Sequence, residues 1–192
     1  MAVTALNLLA GPGVFYTSSF GATEPADSAV NTTPSASTWA DAGGTNDGVT
    51  VNINQEYFEL DVDQIVDVPG RRLSKRDVRV VTNLAEPTLT NLALALNEPS
   101  SAITASAAYS TFDPSNTNAA TQPTYKAILF DGWAPGASAG GFNRRVIVRK
   151  VLSLEGTEPV YKKDEQTVFK TTFGAHYVSS SIRPFRVVDQ TA

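Results

Sequence analysis

Residues 46–68 read NDGVTVNINQEYFELDVDQIVDV, and the fold class follows from how their apolar side chains alternate. Val49, Val51 and Ile53 alternate with Thr50, Asn52 and Asn54 at the two-residue period of a half-buried strand. The phase then slips, because Phe58, Leu60 and Val62 sit on even positions against Glu59, Asp61 and Asp63 on odd ones. A bulge or bend is therefore predicted near Gln55 to Tyr57. Asn46-Asp47-Gly48 reads as a turn ahead of the strand. The strand is predicted to run on through Ile65 and Val66 to Pro69-Gly70, where a turn covers Arg71-Arg72-Leu73-Ser74-Lys75-Arg76. A further strand follows, with Val78, Val80 and Thr82 set against Asp77, Arg79 and Val81.

Towards the C-terminus, Glu86-Pro87-Thr88 precedes the one helical pattern. Leu89, Leu92, Ala93 and Leu96 fall on one face, Thr88 can cap the first turn, and the helix is predicted to end near Asn97 and Pro99. An excursion loop rich in Ser, Ala, Thr and Asn spans about 98–123, within which Ala102 to Tyr109 can pair as a strand. Strands are predicted at Tyr125 to Phe130, Phe142 to Leu154, Gln166 to Phe173 and Phe185 to Val188. Towards the N-terminus, Phe15 to Ser18 reads as a short strand and 21–48 as a long polar arm with one large anchor, Trp39. A connection that long inside a compact domain is uncommon without a function. One helix among six or more strands gives a mainly β fold, an antiparallel sandwich or barrel with one flanking α-helix.

At 192 residues, 42% hydrophobic and 18% charged, the chain suits one core, and 1–192 reads as a single domain. It has no Cys and one His, which removes disulfides, thiolate metal sites, thiol nucleophiles and paired-His metal centres. No metal or other cofactor is expected. His176 has no G-x-S-x-G elbow to work with and reads as structural. Gly11-Pro12-Gly13 and Gly140-Gly141 do not open a helix after a strand, so they read as loop glycines rather than phosphate cradles. The first thirteen residues lack Lys and Arg, and no apolar run is long enough to span a membrane, so a soluble protein made in the cytoplasm is expected.

The net charge of −4 is unevenly spread: nine acidic residues and no basic one precede Arg71, and all 15 basic residues follow. Such asymmetry marks either two ends that meet across subunits or two charged faces of one monomer. Asp61 and Asp63, two apart on a strand, form an acidic stripe with Glu59. Neighbours on one strand cannot flank a scissile bond, so the stripe reads as a solvated face rather than as acid/base machinery, and no enzyme is expected. Arg71, Arg72, Lys75 and Arg76 form one basic cluster, and Arg144, Arg145, Arg149 and Lys150 another. With a pI near 5.0 and no interleaved aromatics, docking onto an acidic protein surface fits them better than nucleic-acid binding. The acidic front end of a second copy is such a surface.

The order of features carries a resemblance: Pro12-Gly13-Val14-Phe15-Tyr16, Gly21-Ala22-Thr23-Glu24-Pro25, Trp39, Gly43 and Asp47-Gly48-Val49. It continues through Glu56, Val62-Asp63-Gln64, Val68-Pro69-Gly70 and Glu86-Pro87-Thr88 into the leucine helix. Over roughly residues 1–100 this layout resembles the major tail tube proteins of long-tailed bacteriophages, especially the actinobacterial-phage type. The resemblance implies a β-sandwich with a flanking helix, whose inner sheet joins a hexameric β-barrel ring, with rings stacking into a hollow tube for genomic DNA. Four strands from each of six subunits, about 4.8 Å apart and tilted about 40°, would enclose a backbone diameter of roughly 45–50 Å. Glu59, Asp61 and Asp63 would face the lumen, which must pass double-stranded DNA without gripping its phosphates. Arg79 shares the register of Asp77, and Arg145 and Arg149 share one strand face, so a lumen built from those faces would be mixed.

The loop 69–74, with Arg71 and Arg72 and with Lys75 and Arg76 beside it, would reach an adjacent subunit or ring, and the arm 21–48 would order on stacking. Implied partners are further copies of the chain and the tape measure, distal tail and tail terminator proteins. The implied location is the virion tail, assembled in the bacterial cytoplasm. Two other readings keep the β fold. A carbohydrate-binding or adhesin module would stack sugars on Trp39, Trp133, Tyr109 and Tyr125. A tail terminator or capsid decoration subunit would stop at a closed ring.

Overall fold

The computed structural model describes residues 7–115, 120, 122–136 and 141–191; Gly140 and the predicted loop residues 116–119 and 121 lie outside these. Among the described residues the chain is mainly β with one α-helix. The strands are β1 (Val14–Ser19), β2 (Ala40–Asp41), β3 (Thr45–Leu60), β4 (Gly70–Leu84), β5 (Ile103–Ala105), β6 (Ser110–Phe112), β7 (Lys126–Ala134), β8 (Phe142–Ser153), β9 (Phe169–Ala175) and β10 (Phe185–Asp189), with α1 at Leu89–Ala95. One antiparallel sheet runs β2-β1-β7-β8-β9-β4-β3, and β5 and β6 form a separate hairpin. Along one edge of β8, β10 covers Arg144 to Val148 and β9 covers only Val151 to Ser153.

With so short a seam between β8 and β9, the sheet folds over on itself there. Phe15, Ile128, Val146 and Val148 from the first half pack in one core with Val80, Leu84, Phe169 and Phe173 from the second. The Phe15 and Phe173 rings stack at 6.0 Å. The opposite face of β1, β7 and β8 carries a second core of Tyr16, Trp39, Ala127, Leu129 and Ile147 beneath the arm. These strands are therefore covered on both faces, which is why Ala127-Ile128-Leu129 and Val146-Ile147-Val148 are unbroken apolar runs.

Thr88 caps α1, its hydroxyl accepting from Asn91 N at 3.2 Å. The helix is one turn shorter than the pattern predicts, and its buried side chains are Asn91, Ala93, Leu94 and Ala95, with Leu96 exposed. A segment apolar on nearly every side does not specify its own buried face. Asn91 selects it, donating through Nδ2 to Ala42 O and to Glu86 O, both at 2.9 Å, and so tying the helix to the end of the arm.

The predicted irregularity near Gln55 to Tyr57 is present, but the extra residue lies on the partner strand. Glu56 pairs with Lys75 and Tyr57 with Leu73, leaving Ser74 as the unpaired residue of β4, its hydroxyl donating to Glu56 O at 2.9 Å. Because β3 itself keeps a regular pleat, Phe58 and Leu60 cross to the face opposite Val49, Val51 and Ile53. A second irregularity stands where a turn was predicted. Asp47 (φ 62°) and Gly48 (φ 75°) bulge inside β3, so the strand begins at Thr45 and the arm is shorter than 21–48.

Two boundaries need correction. β3 ends at Leu60, so Asp61 and Asp63 lie on the connection 61–69 and share no strand face. Residues 71–76 are not a turn, because β4 is continuous from Gly70. The register sets Glu56 against Lys75 and Glu59 against Arg71, and the three aspartates with Pro69 fall in the connection.

Candidate assembly surface

β4 pairs with β9 only from Arg79 to Leu84. Residues 53–60 of β3 and 70–78 of β4 therefore extend past β9 as a two-stranded ribbon, about 25–30 Å long at roughly 3.3 Å per residue. β3 is the last strand of the sheet, so its outer edge has no partner along its length among the described residues. About half of its backbone N–H and C=O groups face outward there, a ready template for another strand.

Strand alternation sorts the ribbon's side chains. Ile53, Gln55, Tyr57 and Glu59 share one face with Val78, Arg76, Leu73 and Arg71, and the Tyr57 hydroxyl donates to Gln55 Oε1 at 2.7 Å on that face. Glu56, Phe58 and Leu60 share the other with Lys75, Arg72 and Gly70. Phe58 is 65% exposed and Tyr57 53%, values that leave both rings free for a partner. Arg71 donates through Nη2 to Glu59 at 2.7 Å, Lys75 to Glu56 at 3.2 Å, and Arg79 to Asp77 at 3.0 Å. Each exposed pair is worth about 0–1 kcal/mol.

The sequence-predicted residues thus separate. Glu59 is paired rather than part of an acidic stripe, and Asp61 and Asp63 stand past the end of the strand. The basic cluster splits between faces, Arg71 and Arg76 on one and Arg72 and Lys75 on the other. Complementary charge at 56/59 and 71/75 is the sequence signal for this pairing.

Trp39 is buried, 2% exposed, and its Nε1 donates to Thr23 O at 3.0 Å, fixing the arm on its own sheet. Three arginines that sequence reasoning did not assign to this task hold the arm there. Arg145, 1% exposed, donates to both carboxylate oxygens of Asp131 at 2.7 Å and to Ala29 O and Thr32 O. Arg149 pairs with Glu24, and Arg186 with Asp27. Arg145 and Arg149 do share a strand face, but the arm covers it. Part of the charge asymmetry is therefore resolved within one chain. The arm is packed in the single chain, without a neighbouring copy.

The His176 imidazole is held below its usual pKa, first by burial and then by the Lys150 ammonium. Its Nε2 has no hydrogen-bond partner, and its ring meets Tyr125 edge-on at 5.3 Å. Lys150 lies 4.3 Å from the Tyr125 ring centre. Burial of Trp39 withdraws it from any sugar-stacking platform, and Tyr125 is engaged by His176 and Lys150. Among the described residues no group of acidic and imidazole side chains is placed to hold a metal ion, and no helix is long and apolar enough to cross a membrane. Comparison with protein-family models finds no match, and neither does comparison with curated proteins.

Proposed function

We propose that the chain is the structural subunit of a phage tail tube, forming hexameric rings that stack into a hollow conduit for genomic DNA. The observation that carries this reading is the free outer edge of the 16-residue strand β3, extended as a ribbon beyond the body of the sheet. An edge so long, bearing exposed Ile53, Tyr57 and Phe58, is an aggregation hazard in a monomer. A closed ring removes the hazard by pairing each edge with the next subunit. On this side of the fold-over the antiparallel run β9-β4-β3 ends at that free edge, which a neighbouring copy can extend.

A conduit for DNA must not hold phosphates. Arg71, Lys75 and Arg79 each have a carboxylate within hydrogen-bond reach, which weakens their attraction for a passing duplex. The lumen consistent with this ribbon is of mixed charge rather than acidic, because Arg72 and Arg76 are exposed and in no ion pair among the described residues. The work of the protein is then geometric, and it calls for no nucleophile, metal or cofactor.

Negative-stain electron microscopy of the purified chain, at low and high concentration and after prolonged incubation, tests the reading. Hollow tubes of stacked rings are the expected result. Closed single rings that never stack would move the assignment to a tail terminator or decoration subunit, and a strict monomer at all concentrations would overturn it.

A further inference from the structure

The connection 61–69 at the ribbon's end exposes Val62, Ile65, Val66 and Val68, with Val66 fully in solvent. Four branched aliphatic side chains at the end of a projecting ribbon are a costly surface for an isolated monomer. The same connection carries Asp61, Asp63 and Asp67, none in an ion pair among the described residues, whereas the charges along the ribbon shaft are largely paired. Elsewhere on the chain, an open and mostly apolar cavity of about 380 Å³ lies between the arm and the segment before β10, lined by Phe20, Trp39, Ile147 and Ile182 and, on one side, by the Glu24–Arg149 ion pair. Phe20 and Ile182 are exposed at its mouth. Lys150 lies over the Phe20 ring and Arg183 follows Ile182, and neither is in an ion pair among the described residues.

We propose that the aliphatic tip 62–68 of one copy inserts into this cavity of the next copy, its aspartates meeting Lys150 and Arg183. The inference rests on the tube reading and names the contact that would join successive subunits. Knob and hole sit on different surfaces of one chain and carry opposite charge, so the contact is heterologous. Contacts of that kind propagate as a ring or filament instead of stopping at a dimer. A second copy is favoured over a foreign partner because both halves of the contact, apolar and ionic, are present on this chain.

The chain has no cysteine, so disulfide trapping reports only introduced pairs. The double variant Val66→Cys/Ile182→Cys, oxidised mildly at assembly concentration, should give a covalent ladder of dimers, trimers and higher species. Each single variant should give dimers at most, and Val66→Cys/Tyr109→Cys no ladder. Absence of a ladder above that control overturns the proposal. Val66→Asp lies on an exposed tip and should fold with an unchanged Tm, yet raise the concentration needed for self-association at least about tenfold. Unchanged self-association would overturn the proposal as well. Microscopy of the same samples separates the two claims. Tubes without a ladder refute the docking pair and leave the tube, and a ladder without tubes supports the pair and refutes the tube.

Discussion

Replacing Arg145 by Met should destabilise the protein by about 3 kcal/mol, and the size of the loss follows from what the guanidinium leaves behind. Its side chain is 2% exposed, and it satisfies both oxygens of Asp131 together with the carbonyls of Ala29 and Thr32. Removing one member of a buried pair costs roughly 3–5 kcal/mol, because the other charge stays desolvated. Asp131 keeps 19% exposure, so water reaches it in part and the lower end of that range applies. In the double variant Arg145→Met/Asp131→Leu no charge is stranded. The remaining loss should be about 1–2 kcal/mol, from the two arm carbonyls. For a chain of this length about 3 kcal/mol corresponds to a Tm lower by roughly 6–12 °C. Urea denaturation measures both variants, and a non-specific protease should cut residues 23–38 sooner in each, since the arm has lost its donors. A single variant that loses less than about 1 kcal/mol, or a double variant less stable than the single, would refute the argument that this pair is desolvated and holds the arm.

Reversing Arg71 and Arg72 to Glu should leave the Tm within a few degrees, since both are exposed, while suppressing tubes in electron micrographs; normal tubes would remove these residues from the contacts between subunits. Asn91→Leu removes two donors from the junction of helix and arm and should cost about 2 kcal/mol in chemical denaturation, whereas a neutral result would mean that Ala42 O and Glu86 O find other partners. His176 is held below its usual pKa of about 6.5, so as the pH falls through that value the unfolded chain takes up the proton first and the native state loses stability. Tm measured at pH 7 and pH 5 should therefore fall less in His176→Phe than in the parent, and an equal fall would assign the acid sensitivity to other groups. Asp189, held below the usual carboxylate range by its hydrogen bonds to Arg144, contributes stability above its unfolded pKa that is lost as the pH falls through the folded one. Arg144→Met should flatten that acid limb of the Tm curve.

What the sequence determines by itself is whatever depends on neighbours a few residues apart. The alternation of Val49, Val51 and Ile53 makes a strand, the slip before Phe58 marks an irregularity, Thr88 caps a helix, and the pattern from Phe142 onward marks a further strand. Those features fix a mainly β, antiparallel class with one helix. Tertiary structure decided what depends on residues far apart in the chain. Whether Asp61 lies on a strand depends on whether a partner strand stands opposite, and the register that sets Glu56 against Lys75 and Glu59 against Arg71 leaves none. Whether Arg145 is a surface cation depends on where residues 29 and 32 come to rest, more than a hundred positions earlier. A residue's own period tells which way it points, but only the segment that arrives from elsewhere determines whether it meets water, a carboxylate or another copy of the chain.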